Sequence, residues 1–220
     1  SILSIRDSEF NGNIFAENSR AITSYSQTSL KNNSFSNNAI LITDDGTAPG
    51  FMLLNTTSTV VLEDLLFPYN SLEGTSSSPV YAISIINTSG ATIKNISFNY
   101  NYANNLCTFF LASGPLNVAF YDISFTFNIL NNAQEIELSL FKVYGNVTFE
   151  KLTVRNNTMN GYSHLILMPE SQVITMRGFE LSSNYIYSTT ITRKEKGLIE
   201  SPSSGTTFSV MNFNLSQNTF

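Results

Sequence analysis

Histidine and cysteine are nearly missing from this 220-residue chain, which has one of each, His164 and Cys107. A lone cysteine excludes an internal disulfide. Without a second histidine or cysteine, a zinc-type ligand set has no material, so neither metal nor cofactor is expected. Cys107 precedes the apolar run Thr108–Leu111 and reads as a buried, unreactive thiol. A Ser–His–Asp relay would have to pass through His164, which adjoins Leu165-Ile166-Leu167 in a predicted strand and has no nucleophile-elbow motif beside it. Basic residues number only 11 against 16 acidic ones, for a net charge of −5. Their single concentration, Arg193-Lys194-Glu195-Lys196, carries its own acid and reads as a solvated loop. With no basic stripe, nucleic acid is not an expected partner. No apolar run reaches the ~18–20 residues that span a bilayer, so no membrane insertion is expected within this segment. Sustained 3.6-residue apolar spacing is also missing, which makes helices the exception. No Pro-rich or Ser/Gly-rich linker divides the chain, so 1–220 reads as one domain.

What the chain has in abundance is a repeat. Eight times an apolar residue is followed by a second apolar position three later, a large apolar two further on, and an Asn three beyond that. The copies end at Asn13, Asn38, Asn70, Asn101, Asn128, Asn157, Asn184 and Asn218, spaced by 25, 32, 31, 27, 29, 27 and 34 residues. Self-similarity at this period signals a solenoid, and the variable length argues against stacked helix pairs. Three residues before each Asn stand Phe10, Phe35, Phe67, Phe98, Phe125, Val154, Leu181 and Leu215.

The unit 91-ATIKNISFNYN-101 shows the physics. Ile93, Ile96 and Phe98 are read as inward, and Lys94, Ser97 and Asn99 as outward. Strand alternation would put Ile93 and Ile96 on opposite faces. Asn95 must therefore sit in a bend that resets the phase. Across the repeats the bend column is Asp7, Asn32, Asp64, Asn95, Asp122, Lys151, Gly178 and Asn212, mostly residues that enter the left-handed region cheaply. The middle apolar column departs from its type in the first two copies, at Ser8 and Asn33. Interior columns of like residues and polar exterior columns describe an all-β, single-stranded parallel β-helix of about eight rungs. At about 4.8 Å per rung it rises on the order of 40 Å. The unbroken Asn column is read as a stacked amide ladder that satisfies backbone groups at a strand-ending corner.

A second strand per rung is predicted at Ala21–Tyr25, Phe51–Asn55, Tyr81–Ile86, Cys107–Leu111, Leu138–Val143, His164–Met168 and Gly197–Glu200, followed by turns such as Ser89-Gly90, Ser113-Gly114, Tyr144-Gly145 and Ser204-Gly205. Three insertions, 43-TDDGTAPG-50, 71-SLEGTSSSP-79 and 187-YSTTITRKEKG-197, fall between a ladder Asn and the next strand. Such insertions map to one face of a solenoid. The ends show no initiator Met, signal peptide or polar capping unit, which points to an excerpt of a longer solenoid or to end-to-end stacking.

Seven Asn-x-Ser/Thr sites occur, at Asn32, Asn55, Asn87, Asn95, Asn146, Asn156 and Asn214. None coincides with a ladder Asn. They fall at corners and outward positions where an N-glycan fits, which points to an extracellular or cell-surface location. Glycoside cleavage needs two carboxyls about 5–10 Å apart. Asp7, Asp64 and Asp122 share the bend column two rungs apart, Glu63 adjoins Asp64, Asp44-Asp45 and Glu135/Glu137 lie in separate loops, and Glu200 stands alone on its strand. No acid-rich patch with basic support emerges, and no catalytic residue is assigned.

The units FNGN, FSNN, FPYN, FNYN and FTFN resemble the Phe-x-x-Asn repeats of polymorphic outer-membrane-type passenger domains. They are similar also to pectin-lyase-like β-helix regions of large protist surface proteins. An Ala-Ile step is usual there; Asn38-Ala39-Ile40 and Arg20-Ala21-Ile22 match it, though the paired glycines that normally precede it are missing. The resemblance implies a right-handed β-helix with adhesive or structural duties at the cell surface, and it carries over no catalytic residue. The expected role is a non-catalytic structural or adhesive segment of a large surface or fibre-forming glycoprotein. Its expected partners are N-glycans, further copies stacked end to end, or other surface proteins. The alternative is a carbohydrate-binding or carbohydrate-cleaving β-helix.

Overall fold

The computed structural model describes residues 1–16, 19–42, 50–75, 79–105, 107–114, 117–131, 139–161, 164–170, 173–187, 198–201 and 206–220. Within them the chain is a parallel β-solenoid with no helix, built on three sheets whose strands pair in parallel register. The first sheet stacks Ile2–Arg6, Gln27–Ser36, Thr59–Pro68, Gly90–Asn99, Asn117–Thr126, Asn146–Arg155, Val173–Ser182 and Thr207–Met211. Glu9–Asn11 and Asn214–Ser216 extend it at its two ends. The second sheet holds three-residue strands that directly follow the first seven ladder Asn: Ile14–Ala16, Ala39–Leu41, Ser71–Glu73, Tyr102–Asn104, Ile129–Asn131, Thr158–Asn160 and Tyr185–Tyr187. The third runs through Arg20–Ser24, Gly50–Asn55, Val80–Ile86, Cys107–Ser113, Ser139–Val143, His164–Leu167 and Ile199–Glu200.

The bend column behaves as its residue types require. Asp7, Asn32, Asp64, Asn95, Asp122, Lys151, Gly178 and Asn212 all have positive φ, between 51° and 65°. In the six inner rungs the bend does not break the strand, whereas at Asp7 and Asn212 in the end rungs it does. The ten-residue strand Gly90–Asn99 continues through Asn95, because the residues on either side keep their register to the next rung, Lys94 with Tyr121 and Ile96 with Ile123. The extra residue turns both Ile93 and Ile96 inward, each essentially without solvent contact. Where the middle column is polar, Asn33 takes over the bend's hydrogen bonding. Its Nδ2 donates to the carbonyls of Ile5 and Lys31, each at 3.1 Å, and its Oδ1 accepts from the Ser8 N–H at 3.0 Å.

The core is a continuous aromatic and aliphatic column. Phe10, Phe35, Phe67, Phe98 and Phe125 stack ring on ring with centroids 4.6–4.9 Å apart. Phe109, Phe110 and Phe141 from the third sheet meet that column edge-on. Each fully buried Phe contributes about 1.5–3 kcal/mol relative to an exposed one. Stacking at rung spacing also adds the geometric preference of offset aromatic pairs.

The three-residue strands of the second sheet were not anticipated from the sequence. Of the expected turns, Gly114 and Gly145 have φ of +84° and +87°, whereas Gly90 opens a strand instead. Ser204-Gly205 and residues 43–49, 76–78 and 188–197 of the insertions lie outside the described residues.

Candidate functional site

From Asn38 to Asn184 each ladder Asn stands between a ten-residue strand and a three-residue strand, and the ladder's bonding repeats from rung to rung. The backbone N–H donates to the side-chain Oδ1 of the ladder Asn on the following rung at 2.9–3.0 Å, from Asn13 to Asn38 through to Asn184 to Asn218. From Asn38 onward, Nδ2 donates to the carbonyl of the apolar residue one rung back at 2.8–2.9 Å, as Asn101 does to Phe67. The side chain thus closes the chain's backbone bonding at a corner from which water is excluded, since Asn38, Asn70, Asn101, Asn128, Asn157 and Asn184 are buried. A second, shorter amide column runs Asn104, Asn131, Asn160, with Nδ2 to Oδ1 contacts of 3.3 and 2.8 Å. It ends where the next rung offers Tyr187, which leaves Asn160 Oδ1 as the one buried side-chain oxygen without a partner among the described residues.

The carboxylates of the bend column are tied to their own column. Asp7 accepts from Asn32 Nδ2 at 2.6 Å, Asp64 from Asn95 Nδ2 at 2.7 Å, and Asp122 pairs with Lys151 at 2.8 Å. Beside them Glu63 sits between Lys31 and Lys94 at 3.1 and 3.3 Å. Hydrogen bonds from those two ammonium groups hold its carboxyl below its ordinary range. The pairs at Glu63 and Asp122 offset charge along the solenoid, while Asp7 and Asp64 accept hydrogen bonds from neutral amides. The arrangement does not aim two carboxyls at a common substrate atom. Asp44, Asp45, Glu135 and Glu137 lie outside the described residues.

Glu200 is the one carboxylate of the strand Ile199–Glu200, and it meets a histidine from the strand beside it. Its Oε2 lies 3.3 Å from Nδ1 of His164, whose side chain is fully buried. Cys107 is buried, with Sγ 3.2 Å from the Asn104 carbonyl and 3.4 Å from that of Leu72, and burial pushes its thiol pKa up to about 12. Among the described residues no three His, Cys, Asp or Glu side chains converge as a metal site would require. A shallow depression of about 420 Å³ is lined by Ser113, Gly114, Tyr144, Gly145 and Glu170, a lining with a single carboxylate.

The most unusual surface lies at a corner the sequence did not advertise. The residue immediately before each ladder Asn also has positive φ: Gly12, Asn37, Tyr69, Tyr100, Phe127, Asn156, Ser183 and Gln217. Holding an L side chain there costs about 1–2 kcal/mol. Gly12, Asn37 and Asn156 bear that cheaply, but Tyr69, Tyr100 and Phe127 do not, and they are 59%, 50% and 47% exposed. Their rings stack on one another at 5.2 and 5.0 Å with interplanar angles of 11° and 5°. Two residues on, Tyr102 and Ile129 point outward beside them and are exposed as well.

The sequons occupy varied environments. Asn32, Asn87, Asn95 and Asn214 are exposed; Asn55, Asn146 and Asn156 are half-buried. The amide nitrogens of Asn32 and Asn95 are donated to aspartates, that of Asn87 to Asn55 Oδ1, and that of Asn146 to Asn117 Oδ1. No protein-family profile matches the chain, and a search of curated proteins finds no match either.

Proposed function

We propose that this solenoid is an extracellular, N-glycosylated, non-catalytic segment of a large surface or fibre-forming protein, with structural or adhesive duty. The observation that carries the reading is the ladder. One hydrogen-bond pattern repeats on every rung from Asn13 to Asn218, and from Phe10 to Phe125 a ring stack runs parallel to it, so bending over those rungs would disrupt both. Charges on the surface pair within their own column instead of converging. Outward Asn-x-Ser/Thr sites and the resemblance of the Phe-x-x-Asn units to surface β-helices support the location. The expected partners are the glycans themselves and other surface proteins or further copies of the chain, stacked on the outer strand edges of the first sheet. Secretion from a glycosylating eukaryotic host, followed by mass spectrometry of intact glycopeptides and imaging of the particles, tests it. Modified sequons on rod-shaped particles are expected. Unmodified sequons throughout, or compact globular particles, would overturn it.

The exposed aromatics favour a second reading, carbohydrate binding, because Tyr102 presents a ring with no stacking partner among the described residues beside the Tyr100 edge. Retention on immobilised polysaccharide that is lost in Tyr102→Ser would promote it, and shortening of an acidic polysaccharide would promote its catalytic form.

A further inference from the structure

Two independent features meet at one corner of the solenoid. The first is the exposed ring stack. Tyr69, Tyr100 and Phe127 cover each other's faces along the axis, leaving the Phe127 face that looks toward the next rung without a ring upon it. The second is the residue that occupies the same corner on that next rung. It is Asn156, which opens the sequon Asn156-Asn157-Thr158.

The register places the two residues one above the other. Thr126 pairs with Arg155 and Ile129 with Thr158, so Phe127 and Asn156 fall between matched neighbours. The Phe127 N–H donates to the Arg155 carbonyl at 3.2 Å, and the ladder Asn that follows each is bonded to its counterpart. Their φ values are 56° and 55°, so both side chains leave the backbone in the same direction. Phe127 is half exposed in a conformation that disfavours it, while the equivalent corners at Gly12, Asn37, Ser183 and Gln217 manage without an aromatic. Neither the backbone nor the core calls for a ring there, and its stack on Tyr100 leaves it half exposed. The side-chain Nδ2 of Asn156, unlike those of Asn32, Asn87, Asn95 and Asn146, donates no hydrogen bond among the described residues.

We propose that an N-linked glycan on Asn156 extends the aromatic stack, its first sugar laying its apolar C–H face on the open face of Phe127. The inference rests on the glycoprotein reading above and goes further by assigning one site and one intramolecular contact. In the transfer, Asn156 Nδ2 forms the bond to C1 of a sugar carried on a polyprenyl diphosphate. The C1–oxygen bond breaks with its electron pair leaving on the lipid diphosphate, and the amide proton passes to the transferase's base. The sugar then occupies the rung spacing that a fourth ring would fill, and apolar surface on both sides is withdrawn from water.

The test uses the full chain secreted from a glycosylating host. Site occupancy is read from glycopeptides, and thermal unfolding is compared with and without the Asn156 glycan by means of Thr158→Val, which removes the acceptor signal and leaves Asn156 in place. A fall of about 2–4 °C in Tm is expected in the wild type, and no fall when Phe127→Asn is the background. Phe127→Asn removes the ring, relieves the backbone conformation and creates no sequon. A second readout needs no variant: protons on one face of the first sugar shift upfield in NMR spectra of the wild-type glycoprotein. An unmodified Asn156 beside other occupied sequons overturns this inference and leaves the surface reading standing, whereas no occupied sequon at all overturns both. An equal Tm change in both backgrounds, or unshifted sugar protons, overturns the contact.

Discussion

Substituting one ladder residue in the middle and one at the end separates two accounts of the Asn column. Asn101 is buried; its Oδ1 accepts from the Asn70 N–H at 2.9 Å and Asn70 Nδ2 at 3.0 Å, and its Nδ2 donates to the Phe67 carbonyl at 2.8 Å. In Asn101→Ala the Asn70 N–H and the Phe67 carbonyl each lose that partner inside a dry corner. Asn70 Nδ2 keeps the Phe35 carbonyl, and Asn128 Oδ1 keeps the Asn101 backbone N–H. Two groups orphaned at about 1–3 kcal/mol each give an expected loss of roughly 2–6 kcal/mol. At Asn13 the side chain is exposed and makes one bond, Nδ2 to Asn38 Oδ1 at 3.1 Å, which the Asn13 backbone N–H also satisfies at 2.9 Å. Asn13→Ala therefore falls in the surface range, within about 0.5 kcal/mol. Guanidinium titration read by tyrosine fluorescence and far-UV circular dichroism measures both, with coincident curves required because solenoids can unfold rung by rung. Equal effects at the two positions, or a loss under 1 kcal/mol at Asn101, would show that the column reflects turn preference alone.

Asn101→Asp sharpens the same point, since it sets a carboxyl oxygen where Nδ2 faced the Phe67 carbonyl. Its folded-state pKa is raised above the unfolded value of about 3.9, so its deficit against wild type is largest at neutral pH and narrows on acidification; a pH-independent deficit would contradict this. Phe98→Ala removes the ring between Phe67 and Phe125, 4.7 Å from each, and should cost about 3–5 kcal/mol in the same titration. Glu63 titrates below its ordinary 4.5. Its advantage over Glu63→Gln should therefore be full above that pH and vanish as pH falls through the lowered value, as followed by Tm. Cys107, with its thiol pushed to about 12, should resist iodoacetamide at neutral pH in the native state and react once on unfolding; labelling of the folded chain would refute its burial.

The parts of the fold that could be read beforehand are those in which side-chain chemistry dictates position. Asn at the ladder, Phe in the stack and Asn, Asp or Gly at the bend each answer a single local demand, so their columns are chemically uniform and show through loops of unequal length. The second left-handed corner answers the same backbone demand as the first. Its column nevertheless runs from Gly12 through Tyr100 to Gln217, and no shared chemistry betrays it. The three-residue strands, such as Tyr102–Asn104, are too short to display a period of two. The contact of His164 with Glu200 joins residues a full rung apart, so its register depends on loop length, which the sequence leaves open.

That contrast shows where function should be sought on a solenoid. A ladder Asn has to supply one acceptor to two N–H groups and one donor to a carbonyl a rung away, all at the reach of a single methylene. Asp lacks the donor, Ser lacks the second heteroatom, and Gln is a carbon too long. Identity there is exhausted by folding and carries no message about a partner. At the preceding corner the backbone asks only for tolerance of positive φ, a demand that Gly12 and Asn37 meet at little cost. Three consecutive rungs instead hold aromatic rings outside the core, half exposed and stacked on one another at 5.0–5.2 Å, with a glycosylation signal on the rung after them. A choice that strains the backbone and returns only half-burial outside the core points to something the core does not need, so the corner from Tyr69 to Asn156 is the surface to perturb first.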